Sequence, residues 1–212
     1  MSIILLEPDR IDEQARQIAA LLRRKGGDEA AVLGHSYGCV VGTVLAELYP
    51  DLVTKLVLVS PPSEFGAKPP WYMRNRVGLW VALFMIRALL SNPAKFHELS
   101  SKAFYVKSAL SKEDAEVYRR SMLTEGVKRA CYGFAKAFAR GGVSSLEYGK
   151  ITLPSLVIAG VEDEIVSCES VEKVANSIPN AQFRSIRECG HCSPEERPEE
   201  VLSLLSEFLS GV

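Results

Sequence analysis

Gly34-His35-Ser36-Tyr37-Gly38 has the spacing G-x-S-x-G, in which a serine sits on a sharp turn between a strand and a helix with its hydroxyl exposed. The small residues on either side are expected to relieve the clashes of such a strained turn. The chemistry that this pattern serves is nucleophilic attack. A hydroxyl is a weak nucleophile until a base takes its proton, so Ser36 calls for a histidine and for a carboxylate that orients it. Three histidines are available. His35 lies inside the turn and reads as structural, and His97 falls in a helical stretch, where it reads as exposed or packed. His191, in RECGHCSPEERP after the last strand candidate, reads as the general base. GVEDEIVS offers Glu162, Asp163 and Glu164 just past an apolar strand. Asp163 is the preferred orienting acid, with Glu162 or Glu164 as the alternatives. The backbone N–H of Tyr37, where the next helix begins, is a candidate donor to a developing oxyanion.

These residues need elements to hold them. Ile11, Ala15, Ile18 and Leu22 share one face of an amphipathic helix with acids early, bases late, and Gly26 and Gly27 as its stop. EAAVLG then forms a short strand, and Val41, Val44, Leu45 and Leu48 give helical spacing up to Pro50. Ser36 therefore falls at a strand-to-helix junction. Leu56 to Ser60 (LVLVS) and Pro154 to Gly160 (PSLVIAG) are unbroken apolar runs, as expected of parallel strands buried on both faces. A helix over Ser170 to Ser177, a strand over Gln182 to Ile186 and a final helix from about Pro194 to Ser210 complete an αβαβ, interruption, βαβα order. The interruption, residues 61–150, has helical spacing, with Ser111 as an N-cap, and reads as an insertion of about four helices.

With 212 residues, 47% hydrophobic and 24% charged, the chain is long enough for one sizeable core. Lys plus Arg is 25 against 26 Asp plus Glu, which leaves no basic patch suited to nucleic acid. MSIILLEPDR lacks the features of a secretory leader, and five scattered cysteines are not a disulfide framework; both point to the cytoplasm. The most apolar run, Gly78 to Leu90, is interrupted by Arg87 and is shorter than the roughly 20 residues that span a bilayer. It reads as a buried or pocket-facing helix, with a lipid-touching face as the alternative. Cys189-Gly190-His191-Cys192 raises a separate possibility, a thiol–disulfide pair. Its place near the C-terminus, with no thioredoxin-like βαβ before it, argues against that reading, and zinc binding by the same residues lacks a second ligand pair.

VLGHSYG, the following AELYPDLVTKLVLVSPP, the G-x-x-D-x-x-V of Gly160, Asp163 and Val166, and Gly190-His191 together resemble the α/β-hydrolase superfamily, in the branch with a helical cap. The resemblance implies an α/β fold with a mostly parallel sheet formed by residues 1–60 and 151–212, and a cap over 61–150. It implies acyl-enzyme hydrolysis of an ester, thioester or related bond by Ser36, Asp163 and His191, with no metal or organic cofactor. Ser36 stands where epoxide- and halide-processing relatives carry aspartate. Trp71, Trp80, Phe84 and Met85 suggest an apolar acyl or aromatic small-molecule substrate, with plain core packing as the bland alternative. The family also has strands ahead of the helix that starts here at Ile11, and a second oxyanion donor among them, for which this sequence has no room. That predicts an open sheet edge at Ala30 to Leu33, which Ser2 to Leu6 would cover only in small part. Self-pairing at that edge, weak catalysis, or a binding role without catalysis are the consequences weighed.

Overall fold

The computed structural model describes residues 11–26, 29–63, 76–124 and 147–211. Helix α1 (Ile11–Arg24) has Asp12 and Glu13 in its first turn and Arg23 and Arg24 in its last, matching the helix dipole at both ends. Its buried face is Ile11, Ala15 and Ala19 rather than the face through Ile18, which lies at the rim. Gly26, in the left-handed region at φ 74°, follows its last turn.

Strands β1 (Ala30–His35), β2 (Val53–Val59), β3 (Ser155–Gly160) and β4 (Ala181–Ile186) form a parallel sheet in the order β1-β2-β3-β4 among the described residues. Side chains alternate across it. Leu56 and Leu58 of β2 and Val157 and Ala159 of β3 join one core with α1, α2 (Tyr37–Leu48) and α6 (Cys168–Ser177). Val57, Val59, Leu156 and Ile158 face the other way, onto Val201 and Phe208 of α8 (Pro198–Ser210). This two-sided burial explains why the middle strands read as continuous apolar runs. Edge strand β1 is different. Leu33 pairs in register with Val57 and so lies on the same face, yet it is 47% exposed. Among the described residues β1 pairs with β2 alone; Ser2 to Leu6, the expected partial cover of its other side, lie outside the described residues.

The final helix breaks in two, α7 (Ser193–Glu196) and α8, instead of running on from Pro194. Pro198 is the cause, because it pushes the preceding residue out of the α region, and Arg197 sits at φ −135°, ψ 56°.

Between β2 and β3 lie α3 (Arg76–Ser91), α4 (Pro93–Ser100) and α5 (Lys112–Met122), the last capped by Ser111, whose Oγ accepts from the Asp114 N–H at 3.0 Å. Leu90, Phe96, Phe104, Leu110 and Ala115 bury a third cluster there. Only part of α3 is buried. Leu90 belongs to that cluster, whereas Trp80, Phe84 and Met85 are exposed and the Trp80 and Phe84 rings stack at 5.9 Å. The helix is apolar nearly all round and packs on α4 along one side, so among its described side chains the buried-helix expectation holds at Leu90 and not at Trp80, Phe84 or Met85. Trp71 lies outside the described residues.

Candidate active site

β1, β3 and β4 all end on the same side of the parallel sheet, and the loops beyond those carboxyl ends carry Ser36, Asp163 and His191. Ser36 sits between β1 and α2 at φ 51°, ψ −117°, a conformation that costs a non-glycine residue of order 1–3 kcal/mol. Two bonds hold it there. Its N–H donates to the Val59 carbonyl at 2.9 Å, and its carbonyl accepts from the Cys39 N–H at 3.0 Å. The two flanking glycines are not equivalent. A Cβ on Gly34 would come within 2.4 Å of the Gly38 carbonyl oxygen, whereas one on Gly38 would meet nothing within 4 Å. Only Gly34 is required by packing.

Tyr37 opens α2, so its backbone N–H belongs to the helix N-terminus beside Ser36. Its ring packs with Ile11, Val40 and Val41, and its hydroxyl accepts from Gln14 Nε2 at 2.8 Å, tying α2 to α1. Cys39 lies buried beneath the turn with Sγ 3.1 Å from the Gly34 carbonyl and 3.2 Å from that of Val59. Burial pushes its thiol up to about 12, so it is a neutral donor.

The acid and the imidazole meet. His191 Nδ1 donates to Asp163 Oδ2 at 2.7 Å, and the Asp163 side chain is only 1% exposed. The other oxygen, Oδ1, accepts from the N–H groups of Ile165 at 2.7 Å and Val166 at 2.9 Å. Burial opposes charge on this carboxyl, but the hydrogen bonds from His191 and the two backbone amides outweigh it and hold its pKa below the ordinary value. With Nδ1 donating to Asp163, neutral His191 keeps Nε2 as a proton acceptor.

The neighbouring acids take other partners. Glu162 Oε2 accepts from the Cys189 N–H at 3.0 Å, and Glu164 pairs with Lys107 at 3.0 Å, so neither alternative orients His191.

The two remaining histidines are accounted for. His97 Nε2 donates to the Leu110 carbonyl at 2.9 Å, a packing role within the helical segment. His35 Nε2 donates to the carbonyl of His191 at 2.8 Å, and the two rings lie 5.0 Å apart. Burial depresses the pKa of His35, which favours the neutral ring. This contact joins the serine turn to the histidine loop one residue away from Ser36. No local signal links residues 156 positions apart, so the chain alone marks His35 as structural without showing its partner.

Cys189 and Cys192 flank His191, and burial pushes both thiols up to about 12. Redox-active pairs depend on a stabilised thiolate, whereas burial here favours the protonated thiols. Among the described residues, no group of three or more His, Cys, Asp or Glu could hold a metal ion, and no helix is long and apolar enough to cross a membrane.

The sequence pattern described as the alpha/beta hydrolase fold matches residues 6–198. This chain belongs to the α/β-hydrolase family. An uncharacterized hydrolase, YugF, of Bacillus subtilis is 26% identical over 204 residues, covering 92% of this chain and 70% of its own. Mouse monoacylglycerol lipase is 25% identical over 194 residues, 85% of this chain and 55% of that enzyme. The structure of a thermophilic esterase from Thermogutta terrifontis superimposes with a TM-score of 0.74 at 23% identity, over 95% of this chain and 72% of the esterase. The chain thus spans only part of the length of these α/β-hydrolase relatives.

Proposed function

We propose that this protein is a serine hydrolase that cleaves an ester, thioester or related acyl bond of a small molecule through an acyl-enzyme. Ser36 attacks the carbonyl carbon, His191 takes the serine proton at Nε2 and returns it to the leaving group, and water then repeats the sequence on the acyl-serine. Asp163 fixes the imidazole and balances the imidazolium charge. The Tyr37 N–H donates to the oxyanion, helped by the positive end of α2. Each step uses groups of the chain itself, and the reading assigns no cofactor.

The observation that carries this reading is the 2.7 Å contact between His191 and the buried Asp163, at the end of the sheet where the strained Ser36 also lies. Residues 61–150 are read as the cap and residues 1–60 with 151–212 as the core. The exposed Trp80, Phe84 and Met85, with Trp71, favour an apolar acyl group; acyl glycerols and simple esters, named for the mouse lipase and the thermophilic esterase, are the first substrates to try. The free thiols of Cys39, Cys168, Cys189 and Cys192 suit a reducing cytoplasm, and the edge that β1 presents among the described residues suits self-association.

Labelling with a fluorophosphonate tests the mechanism. Wild-type protein is expected to react and Ser36→Ala to remain unlabelled; a folded wild type that never reacts would leave a binding role without catalysis.

A further inference from the structure

The backbone around His191 is held by a second carboxylate that the catalytic scheme does not use. Glu196, on α7, accepts from the Gly190 N–H through Oε1 at 2.9 Å and from the Tyr105 N–H through Oε2 at 2.6 Å. Between those two bonds, the His191 N–H donates to the Ala103 carbonyl at 2.7 Å. The segment that follows α4 is therefore laced to the histidine loop, and Gly190 admits it: a Cβ there would lie 2.7 Å from both Ala103 O and Tyr105 N.

Two N–H groups converging on one side chain need two acceptors. A carboxylate offers one on each oxygen and carries no donor, whereas an amide of the same shape must turn its NH₂ toward one of the two N–H groups. Losing one bond would free either the loop or the segment packed on it. The backbone of His191 would then be set by its remaining bonds to Ala103 and His35.

We propose that Glu196 is a positioning residue: by bridging Gly190 and Tyr105 it fixes the main chain at His191 so that Nδ1 meets Asp163, and it couples the segment after α4 to the base. This rests on the reading of His191 as the general base. Further contacts run across the same boundary. Tyr118 of α5 donates to Glu195 at 2.5 Å and Lys107 pairs with Glu164, so acids next to Asp163 and near His191 anchor the α4–α5 unit beside both. That unit sits as a fixed support for the acid and the base.

The test is Glu196→Gln, with Glu196→Asp as the variant that keeps both acceptor oxygens. Glu196→Gln is expected to lower kcat on a p-nitrophenyl ester by roughly 10- to 100-fold with KM within about twofold, by analogy with the outer-shell groups that orient metal ligands. The low-field proton signal of His191 Nδ1–H should broaden or vanish with it, and Glu196→Asp should restore part of both. Wild-type kcat together with an unchanged Nδ1 proton in a folded Glu196→Gln protein would overturn the proposal. If Glu196→Gln does not fold, Glu196→Ala, which removes both acceptors without adding a donor, decides by the same readouts: a lower kcat with a broadened proton supports positioning, and wild-type kcat with an unchanged proton overturns it. The proton signal needs no turnover. If the wild type proves inactive, a signal that depends on Glu196 still supports positioning, and the reading of His191 as base fails separately.

Discussion

Gly160, the last residue of β3, lies under the backbone of Gly190: a Cβ on Gly160 would fall 2.1 Å from the Gly190 carbonyl oxygen and 2.5 Å from that of Cys189. The end of the strand leading to Asp163 and the loop carrying His191 touch main chain to main chain. Glu162 reinforces the contact, since its N–H donates to the Cys189 carbonyl at 3.0 Å and its side chain accepts from the Cys189 N–H. Gly160→Ala must push the histidine loop off the sheet. A destabilisation of about 3 kcal/mol, at the upper end for overpacking, is expected in urea unfolding, with Gly38→Ala nearly neutral as the comparison because that site is open. Equal stability of the two variants would contradict this account.

Asp163 uses both oxygens, and an asparagine side chain has only one. If that single oxygen keeps the Ile165 and Val166 amides, the NH₂ group of the substituted side chain faces His191 Nδ1 and selects the tautomer with the proton on Nε2, the nitrogen that the proposed mechanism needs free. Asp163→Asn should lower kcat by about four orders of magnitude, as wrong-tautomer variants of such triads do, while the protein stays folded. Steady-state kinetics beside a circular-dichroism melt separates the two.

Acid should weaken the fold in two stages. Burial depresses the His35 pKa, so the unfolded chain takes up this proton first. Stability tied to neutral His35 is present above about 6.5, the unfolded value, and is lost as pH falls through the folded one. Asp163, with its pKa also lowered on folding, contributes above about 3.9 and loses its share at still lower pH. Urea midpoints at pH 7.5 and 5.5 should drop for wild type and drop less for His35→Gln, which keeps an N–H donor for the His191 carbonyl but cannot titrate. Identical drops would remove His35 as the cause.

Self-association at β1 makes a prediction of its own. Leu33 is exposed on β1, an edge strand among the described residues, and lysine at such a position discourages pairing. Light scattering should find wild-type oligomers and Leu33→Lys monomers; a monomeric wild type would end the idea.

The exposed face of α3 can be tested against substrate length. Trp80→Ala with Phe84→Ala should leave stability within about 0.5 kcal/mol per site, as for surface positions. If this face meets the acyl chain, KM should rise for long-chain esters and stay constant for acetate esters; parallel changes for both would separate the stacked pair from substrate binding.

Much of this protein was legible in the chain itself because the signals are local. The apolar runs of β2 and β3 follow from burial on both faces, the serine turn from Gly34 beside Ser36, and the N-cap at Ser111 from a side chain that bonds three residues away. The chain alone leaves Asp163 beside two equally local acids, Glu162 and Glu164, and the fold gives each of the three a distinct partner. The contacts of His35 and Glu196 were invisible, since each joins elements far apart in sequence through a backbone carbonyl or N–H that carries no residue identity. Periodicity likewise could not say which side of a largely apolar helix such as α3 is covered. Sequence determined the elements and the chemical groups, because those depend on neighbours along the chain; tertiary structure alone decided which groups meet, because that depends on where parallel strands end together.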